Sequence, residues 1–314
     1  MTFTQRLLTV QLVLGELTSP IPTPAGTPSV TAQVFRGADG QVGNTLTISG
    51  HRVGAKISYK GGSELANAEV IIYGMQKQDM LQASTFAHFP AVMRNAQIIL
   101  YAGTASTGLS MIFSGSIIRA VPDFNGSPEP PFNVTAVSGS SAQMLTIAPT
   151  SIKGPQSASS LLRVLAAQAG LSFENNSPDG TNVPIVHPFF DGSCFDQIRD
   201  IANAAKLNFI IDAGALAVWP SGSARVTSAP SITLSPKLGN LVGYPTFGTN
   251  DITAKCLFDP SIKYGATVTI KDSIVTPANG TWYLYCRDDD LASNWPDGPW
   301  FSTLHMVMTA SGAP

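Results

Sequence analysis

The stretch Leu65-Ala66-Asn67-Ala68-Glu69-Val70-Ile71-Ile72-Tyr73-Gly74 decides how the first half of the chain is read. Gly61-Gly62 and Asn67 turn the chain. The β-branched and aromatic run Val70-Ile71-Ile72-Tyr73 then returns as a strand, stopped by Gly74. Residues 45–49 and 53–59 read as strands ahead of it, and residues 5–15 alternate well enough to be the first. Much later the run Phe258-Asp259-Pro260-Ser261-Ile262-Lys263-Tyr264-Gly265-Ala266-Thr267-Val268-Thr269-Ile270 resumes a strand theme. A segment of helical periodicity separates the two. Two β modules around an αβ insert point to a part of an assembly more than to an active-site scaffold.

Outward from residues 65–74, residues 18–28 hold four prolines and one glycine, the composition of a loop or arm. Residues 76–89 are rich in Met and Gln and suit a short helix. Residues 96–101 and 110–120 read as strands around the glycines at 103–108, and residues 133–138 and 142–148 as a last pair. Roughly seven strands without a long helix is a sandwich or barrel count.

The pattern changes at residue 149. Ser157 is placed to cap a helix over 158–169 whose face carries Leu161, Leu162, Leu165 and Ala169, with Gly170 as the stop. Residues 171–174 read as a short strand and 184–190 as extended. Ser193 is placed to cap a second helix to Lys206, with Asp196 and Asp200 early and Lys206 late, as the helix dipole favours. Phe195, Ile198, Ile201, Ala202 and Ala205 form its apolar face. Residues 207–211 and 215–219 make a hairpin across Asp212-Ala213-Gly214. After Ser221-Gly222-Ser223, strands are expected at 241–246, 252–257, 266–270, 281–287 and 303–309, a second barrel or sandwich. The expected fold class is mainly β with an α+β insert, divided as residues 1–148, 149–222 and 223–314.

Composition narrows the function. The 314 residues are 12% charged, about half the usual quarter, while 28 glycines and 23 prolines make the chain turn-rich. Eighteen basic residues stand against 20 acidic ones, and none of the three segments holds the Lys/Arg excess that phosphate binding needs. Sequence-specific DNA binding is disfavoured on this ground, whereas surrounding DNA needs no such excess. No apolar run approaches the ~18–20 residues of a membrane helix. Residues 7–14 would make a poor signal core with no small-residue cleavage site after it. Cys194, Cys256 and Cys286 are odd in number and far apart, so neither a disulfide framework nor a CxxC metal site is expected.

Chemistry-bearing clusters are few. His187, Asp191 and Ser193 are neighbours in sequence, but a triad must converge in space and the Gly-x-Ser-x-Gly turn is absent. Asp288-Asp289-Asp290 offers carboxylates to a hard cation, yet the calcium-loop spacing is missing, and a solvated turn between strands is the expected reading. His51, His88, His187 and His305 show no HxxxH or HExxH spacing. Walker and dinucleotide motifs are absent. The chain is therefore expected to be no enzyme, with no cofactor and no metal site. Met75, Met80 and Leu81 form an adaptable apolar segment suited to packing or to a subunit contact. Trp295, Trp300 and Phe301, within a rigid Pro-rich stretch, are candidate interface anchors beside the simpler reading of a loop covering its own barrel.

The run from Val53 to Gly74 resembles the first barrel of tailed-phage baseplate hub proteins, and Asp79-Met80-Leu81 fits the same family. So do Gly115-Ser116-Ile117-Ile118-Arg119-Ala120 with the turn Asp123-Phe124-Asn125-Gly126, and Leu171-Ser172-Phe173-Glu174-Asn175-Asn176 with the helix that follows. Leu241-Val242-Gly243-Tyr244-Pro245, Phe258-Asp259-Pro260 and Gly298-Pro299-Trp300-Phe301 are similar in the last module. The motifs are diffuse and the likeness lies in their order along nearly the whole chain. The resemblance implies two tube-like β-barrel domains bracketing the αβ domain. It implies a homotrimer whose six barrels match a hexameric tail tube, placed in the virion tail tip after assembly in the host cytoplasm. Implied partners are the tail tube or distal tail protein, the central spike and the tape measure protein, with DNA passing through the channel. A near-neutral chain suits a channel to which DNA does not stick. A part of a related contractile injection machine is barely distinguishable by sequence. The alternative from another class is a secreted β-rich carbohydrate-binding or hydrolytic protein, which would require a cleavable signal, exposed aromatic platforms and often disulfides or calcium.

Overall fold

A computed structural model describes residues 5–14, 35–36, 42–62, 64–85, 96–125, 128–226 and 232–308. The Pro-rich arm expected at 18–28 lies outside the described residues. The chain is mainly β and divides into two compact units. The first draws on Met1–Ala55, Ala68–Val137 and Ala292–Gly298, the second on Lys56–Asn67, Ser138–Leu291 and Pro299–Pro314.

The first unit contains β1 (Arg6–Val13), β2 (Thr45–Ile48), the start of β3 (Val53–Tyr59) and most of β4 (Asn67–Ile72). α1 (Lys77–Ala83), β5 (Gln97–Thr104), β6 (Gly108–Pro122) and β7 (Phe132–Val137) complete it. Its strands are ordered β4-β7-β6-β5-β1-β2. β1 lies antiparallel to β5 with Val10 opposite Leu100 and Leu12 opposite Ile98. Strict alternation puts Leu8, Val10 and Leu12 of β1 and Ala68, Val70 and Ile72 of β4 inside, with Glu69 and Ile71 outward. Each buried Leu, Ile or Val there contributes about 1.5–3 kcal/mol. β6 departs from regularity twice, with register shifts at Leu100/Tyr101 and Ile117/Arg119. The second lies beside Ile118, which is 52% exposed. Gly115 is required within β6, since a Cβ there would stand 2.7 Å from the Val137 carbonyl carbon.

The second unit holds two cores. α2 (Ser140–Met144), α3 (Ala158–Gln168), β8 (Ser172–Asn175), α4 (Cys194–Ala204), β9 (Leu207–Asp212) and β10 (Ala215–Pro220) build the αβ part. β9 and β10 form the expected hairpin, and β8 adds to β10 in parallel. Leu161, Leu162 and Leu165 of α3 meet Phe195, Ile198 and Ile201 of α4 over Phe209, Leu216 and Val218. Gly170 has φ +70°, the left-handed stop that ends α3. α4 ends at Ala204, so Lys206 lies beyond its last turn with φ +54°. The second core is a ladder of β11 (Ile232–Leu234), β12 (Leu241–Phe247), β13 (Ile252–Leu257), β14 (Thr267–Ile270), β15 (Gly280–Ser293) and β16 (Trp300–Met308). Its order is β11-β14-β15-β16-β13-β12, parallel only between β11 and β14. Ile252, Ala254, Val268, Ile270, Leu284, Leu304 and Met306 fill its interior. Among the described residues the strand order of neither unit returns to its first strand.

Two further expectations are corrected. Residues 142–148 do not pair as a strand. Gly139 adopts φ +72° and starts α2, in which Ala142 is buried while Met144 is 67% exposed. Asp288-Asp289-Asp290 is no turn: all three lie inside β15, which runs on to Ser293. The carboxylates tolerate the strand because Asp289 finds a buried cationic partner, described below.

Candidate functional site

Four features of the two units could carry function. In the first unit, α1 holds Met80 in the core, 1% exposed, and turns Leu81 outward at 45%. Met75 is half-buried. Lys77, Gln78, Leu81 and Gln82 line a shallow depression along the outer face of α1. The Lys77 ammonium lies 5.8 Å from the centre of the Phe124 ring, which is 50% exposed.

Also in the first unit, Trp295 stands edge-on to Tyr73, with centroids 5.5 Å apart at 84°. The Arg52 guanidinium lies 3.9 Å from the Tyr73 centroid and 5.4 Å from that of Trp295. It also pairs with Glu129 at 3.3 Å. The segment is held in place: Arg6 donates to the Gly298 carbonyl at 2.9 Å, and Asn294 Nδ2 donates to the His51 carbonyl at 3.0 Å. Trp295 remains 38% exposed. A rigid aromatic over a cation, open on one side, is the chemistry of a protein-binding anchor.

The second unit buries an ion pair. Arg287 makes a two-pronged contact with Asp289 at 2.7 Å on each prong and donates to the Ile262 carbonyl. Ser302 donates to Asp289 at 2.6 Å. Burial acts to lower the Arg287 pKa, but the Asp289 charge and its hydrogen bonds outweigh this and hold the guanidinium charged. Tyr59 is pushed well above its ordinary range by burial first and by Asp212 next. In the same unit, Arg225 clasps Glu174 of β8 through Nε at 3.3 Å and Nη2 at 2.7 Å. These contacts tie segments of the second unit together.

On the outer face of the same strand, Cys286, Asp288 and His305 converge. Their Sγ, carboxylate oxygen and ring nitrogen all lie within 4.8 Å of one another. Cys286 is half-buried, and burial followed by the Asp288 charge pushes its thiol up to about 11. By sequence alone Asp288 reads as part of an acidic turn and His305 as a lone histidine. The period-two pattern of β15 held the missed signal: 286 and 288 share one face and 287 and 289 the other.

The His187–Ser193 run is split among local tasks. Gly154 N–H donates to His187 Nδ1 at 3.0 Å. Ser193 caps α4 by accepting from Asp196 N–H at 3.1 Å, while Ser193 N–H donates back to the Asp196 carboxylate at 3.2 Å. Ser157 sits at the start of α3 without a capping bond, its hydroxyl engaged with Ser159. Of the candidate anchors near the C-terminus, Trp300 is buried at 6% and stacks edge-on with Phe258 at 5.4 Å. Phe301 is half-buried, with the Lys255 ammonium 4.4 Å from its centre.

A family model described as baseplate hub gp41 matches residues 44–305. No curated protein matches the chain by sequence. Among solved structures, the chain is similar to the 43 kDa tail protein of prophage MuSo2 from Shewanella oneidensis. That match has TM-score 0.60 and 9% identity and covers 86% of this chain and 96% of that one. It is also similar to a tail protein from Neisseria meningitidis MC58, with TM-score 0.60 and 10% identity over 96% of each chain. An E. coli type VI secretion component, c3393, matches with TM-score 0.53 and 9% identity, covering 82% of this chain and 73% of that one. At such identities these likenesses concern the fold alone.

Proposed function

The chain belongs to the baseplate hub gp41 family, and from that premise we propose that it is the structural hub of a phage baseplate, working as a homotrimeric ring. The observation that carries this reading is the family match over residues 44–305, which takes in both β modules and the αβ part. In this reading residues 1–148 and 223–314 are tube-like barrels bracketing the αβ domain at 149–222. Six such barrels in a trimer match a hexameric tail tube on one side and receive the central spike on the other. DNA passes through the channel and the chain carries no catalytic step. The hub lies in the virion tail tip and is assembled in the host cytoplasm, with the tape measure protein a further neighbour.

Physical chemistry supports this reading. A chain with 12% charged residues has little polar surface to spend and exposes large apolar side chains such as Tyr244 at 66% and Ile274 at 74%. Such surface is what subunit contacts cover. Head-to-tail contacts of this kind close only when the rotation completes a circle. Met75, Leu81, Trp295 and Phe301 are proposed as contact residues, whereas Met80 and Trp300 are buried within the single chain. End-on electron micrographs of the purified protein, alone and mixed with the spike protein of the same phage, test the proposal. Rings with three-fold symmetry and a central opening are the expected result. Single particles without an opening in both samples would overturn it.

A further inference from the structure

We propose that Cys286, Asp288 and His305 form a binding site for a zinc-class divalent metal ion on the outer face of the β15–β16 hairpin. Cys286 is directly opposite His305 across the ladder. Asp288 is two residues along β15 from Cys286 and so projects to the same side. A register shift between Leu284 and Cys286 inserts Tyr285 as the extra residue of a bulge. In a regular pairing Tyr285 would stand opposite His305, so the bulge brings the thiol to the imidazole. Bulges that re-aim a side chain in this way recur beside functional sites.

The geometry fits tetrahedral coordination. Bonds of about 2.0–2.3 Å to nitrogen, oxygen and sulfur place ligand atoms about 3.3–3.7 Å apart. His305 Nε2 and Asp288 Oδ2 are 3.3 Å apart, and Cys286 Sγ and Asp288 Oδ2 are 4.0 Å apart. Cys286 Sγ and the His305 ring nitrogen lie within 4.8 Å of each other, so closing on an ion requires side-chain movements of up to about 1 Å. The ring is already oriented from behind: Thr253, opposite His305 on β13, bonds its Nδ1 at 3.2 Å and leaves Nε2 as the atom that faces Asp288. Such outer partners fix the tautomer and position of metal-bound histidines. One thiolate, one imidazole and one carboxylate are a donor set for zinc and its neighbours and not for calcium or magnesium. The His305 and Asp288 side chains are 29% and 46% exposed, which leaves a fourth position to water or to a group from another subunit. A bound ion would tie β15 to β16 and, through Thr253, to β13.

Cobalt(II) titration of the intact protein tests the site, because a cobalt–thiolate bond gives a charge-transfer absorption that carboxylate or imidazole binding alone does not. One cobalt ion per chain, with that absorption and the strong visible bands of tetrahedral cobalt, is expected, and zinc should displace it. Cys286→Ser should abolish the thiolate band, Asp288→Asn and His305→Gln should weaken binding at least tenfold, and Thr253→Val should weaken it by about 10–100-fold. His187→Gln should change nothing. In the unmodified protein, zinc should slow alkylation of Cys286 mapped by mass spectrometry, a readout independent of any variant's folding. The absence of a thiolate band at saturating cobalt, its persistence in Cys286→Ser, or alkylation indifferent to zinc would each overturn the proposal.

Discussion

Arg287 and Asp289 stand two apart on β15, face the same interior and satisfy each other, with Ser302 and the Ile262 carbonyl taking further bonds. A buried pair of this kind adds little over an apolar replacement, but breaking it strands a charge. Asp289→Ala is therefore expected to cost about 3–5 kcal/mol, seen as a lower midpoint in thermal melting, while the double change Arg287→Met, Asp289→Leu should lose much less. Equal losses would contradict this account of the pair. Ser193 carries a second prediction. Its hydroxyl bond to Asp196, followed by its backbone N–H and the Arg199 charge, holds the Asp196 carboxyl below its ordinary range. A carboxyl lowered in the folded state gives stability above its unfolded pKa of about 3.9, lost as pH falls through the lower folded value. Ser193→Ala should cost about 1 kcal/mol near neutral pH and should narrow the gap to the parent protein on acidification below about pH 4. A gap in melting temperature that is constant from pH 7 to pH 2 would contradict this. The Ser193 cap was legible because a cap needs only local spacing. The fate of Asp288-Asp289-Asp290 was not, because three adjacent carboxylates favour a wet turn unless a distant segment supplies the bulge and the partners that hold them in a strand.

Elements whose apolar period is strong are legible in the sequence. α3 and α4 begin at Ser157 and Ser193 and bury Leu161, Leu165, Phe195 and Ile198 as their spacing requires. The β9–β10 hairpin and the alternation of β1 and β4 followed from the same kind of pattern. The short pieces were harder. α2 buries Ala142 alone among its apolar side chains, too little to impose a period, and β11 has only three residues. Gly265 shows how a turn between elements is fixed. Its φ is +82°, and a Cβ would lie 2.5 Å from the ring of Trp219, which is fully buried. Gly265→Ala combines backbone strain with overpacking and should cost about 1–3 kcal/mol or more, measured as a fall in melting temperature; an unchanged melt would contradict the packing described. The Trp295 segment belongs to this scale too. If its exposed ring with Arg52 and Tyr73 is a subunit anchor, Trp295→Ala should weaken self-association by roughly 30-fold, the size of a 2 kcal/mol hot spot. Association equal to that of the parent protein in sedimentation velocity would remove Trp295 from the interface.

At the scale of the molecule, the mainly β fold with its αβ part and the baseplate hub family were both legible from the order of motifs. What joins the strands into sheets was not, because strand order is set by contacts far apart in the chain. Composition agrees with an assembled protein: weak charge, many turns, and large apolar groups such as Phe247 and Leu257 left on the surface of the single chain. The central claim is that this surface closes into a trimeric hub. The most direct test is the solution mass of the purified chain, by light scattering on a sizing column over a range of concentrations and again with the spike protein added. The account predicts a species of three 33.0 kDa chains, formed alone or on addition of the spike. A strict monomer at high concentration that stays monomeric beside the spike would contradict it.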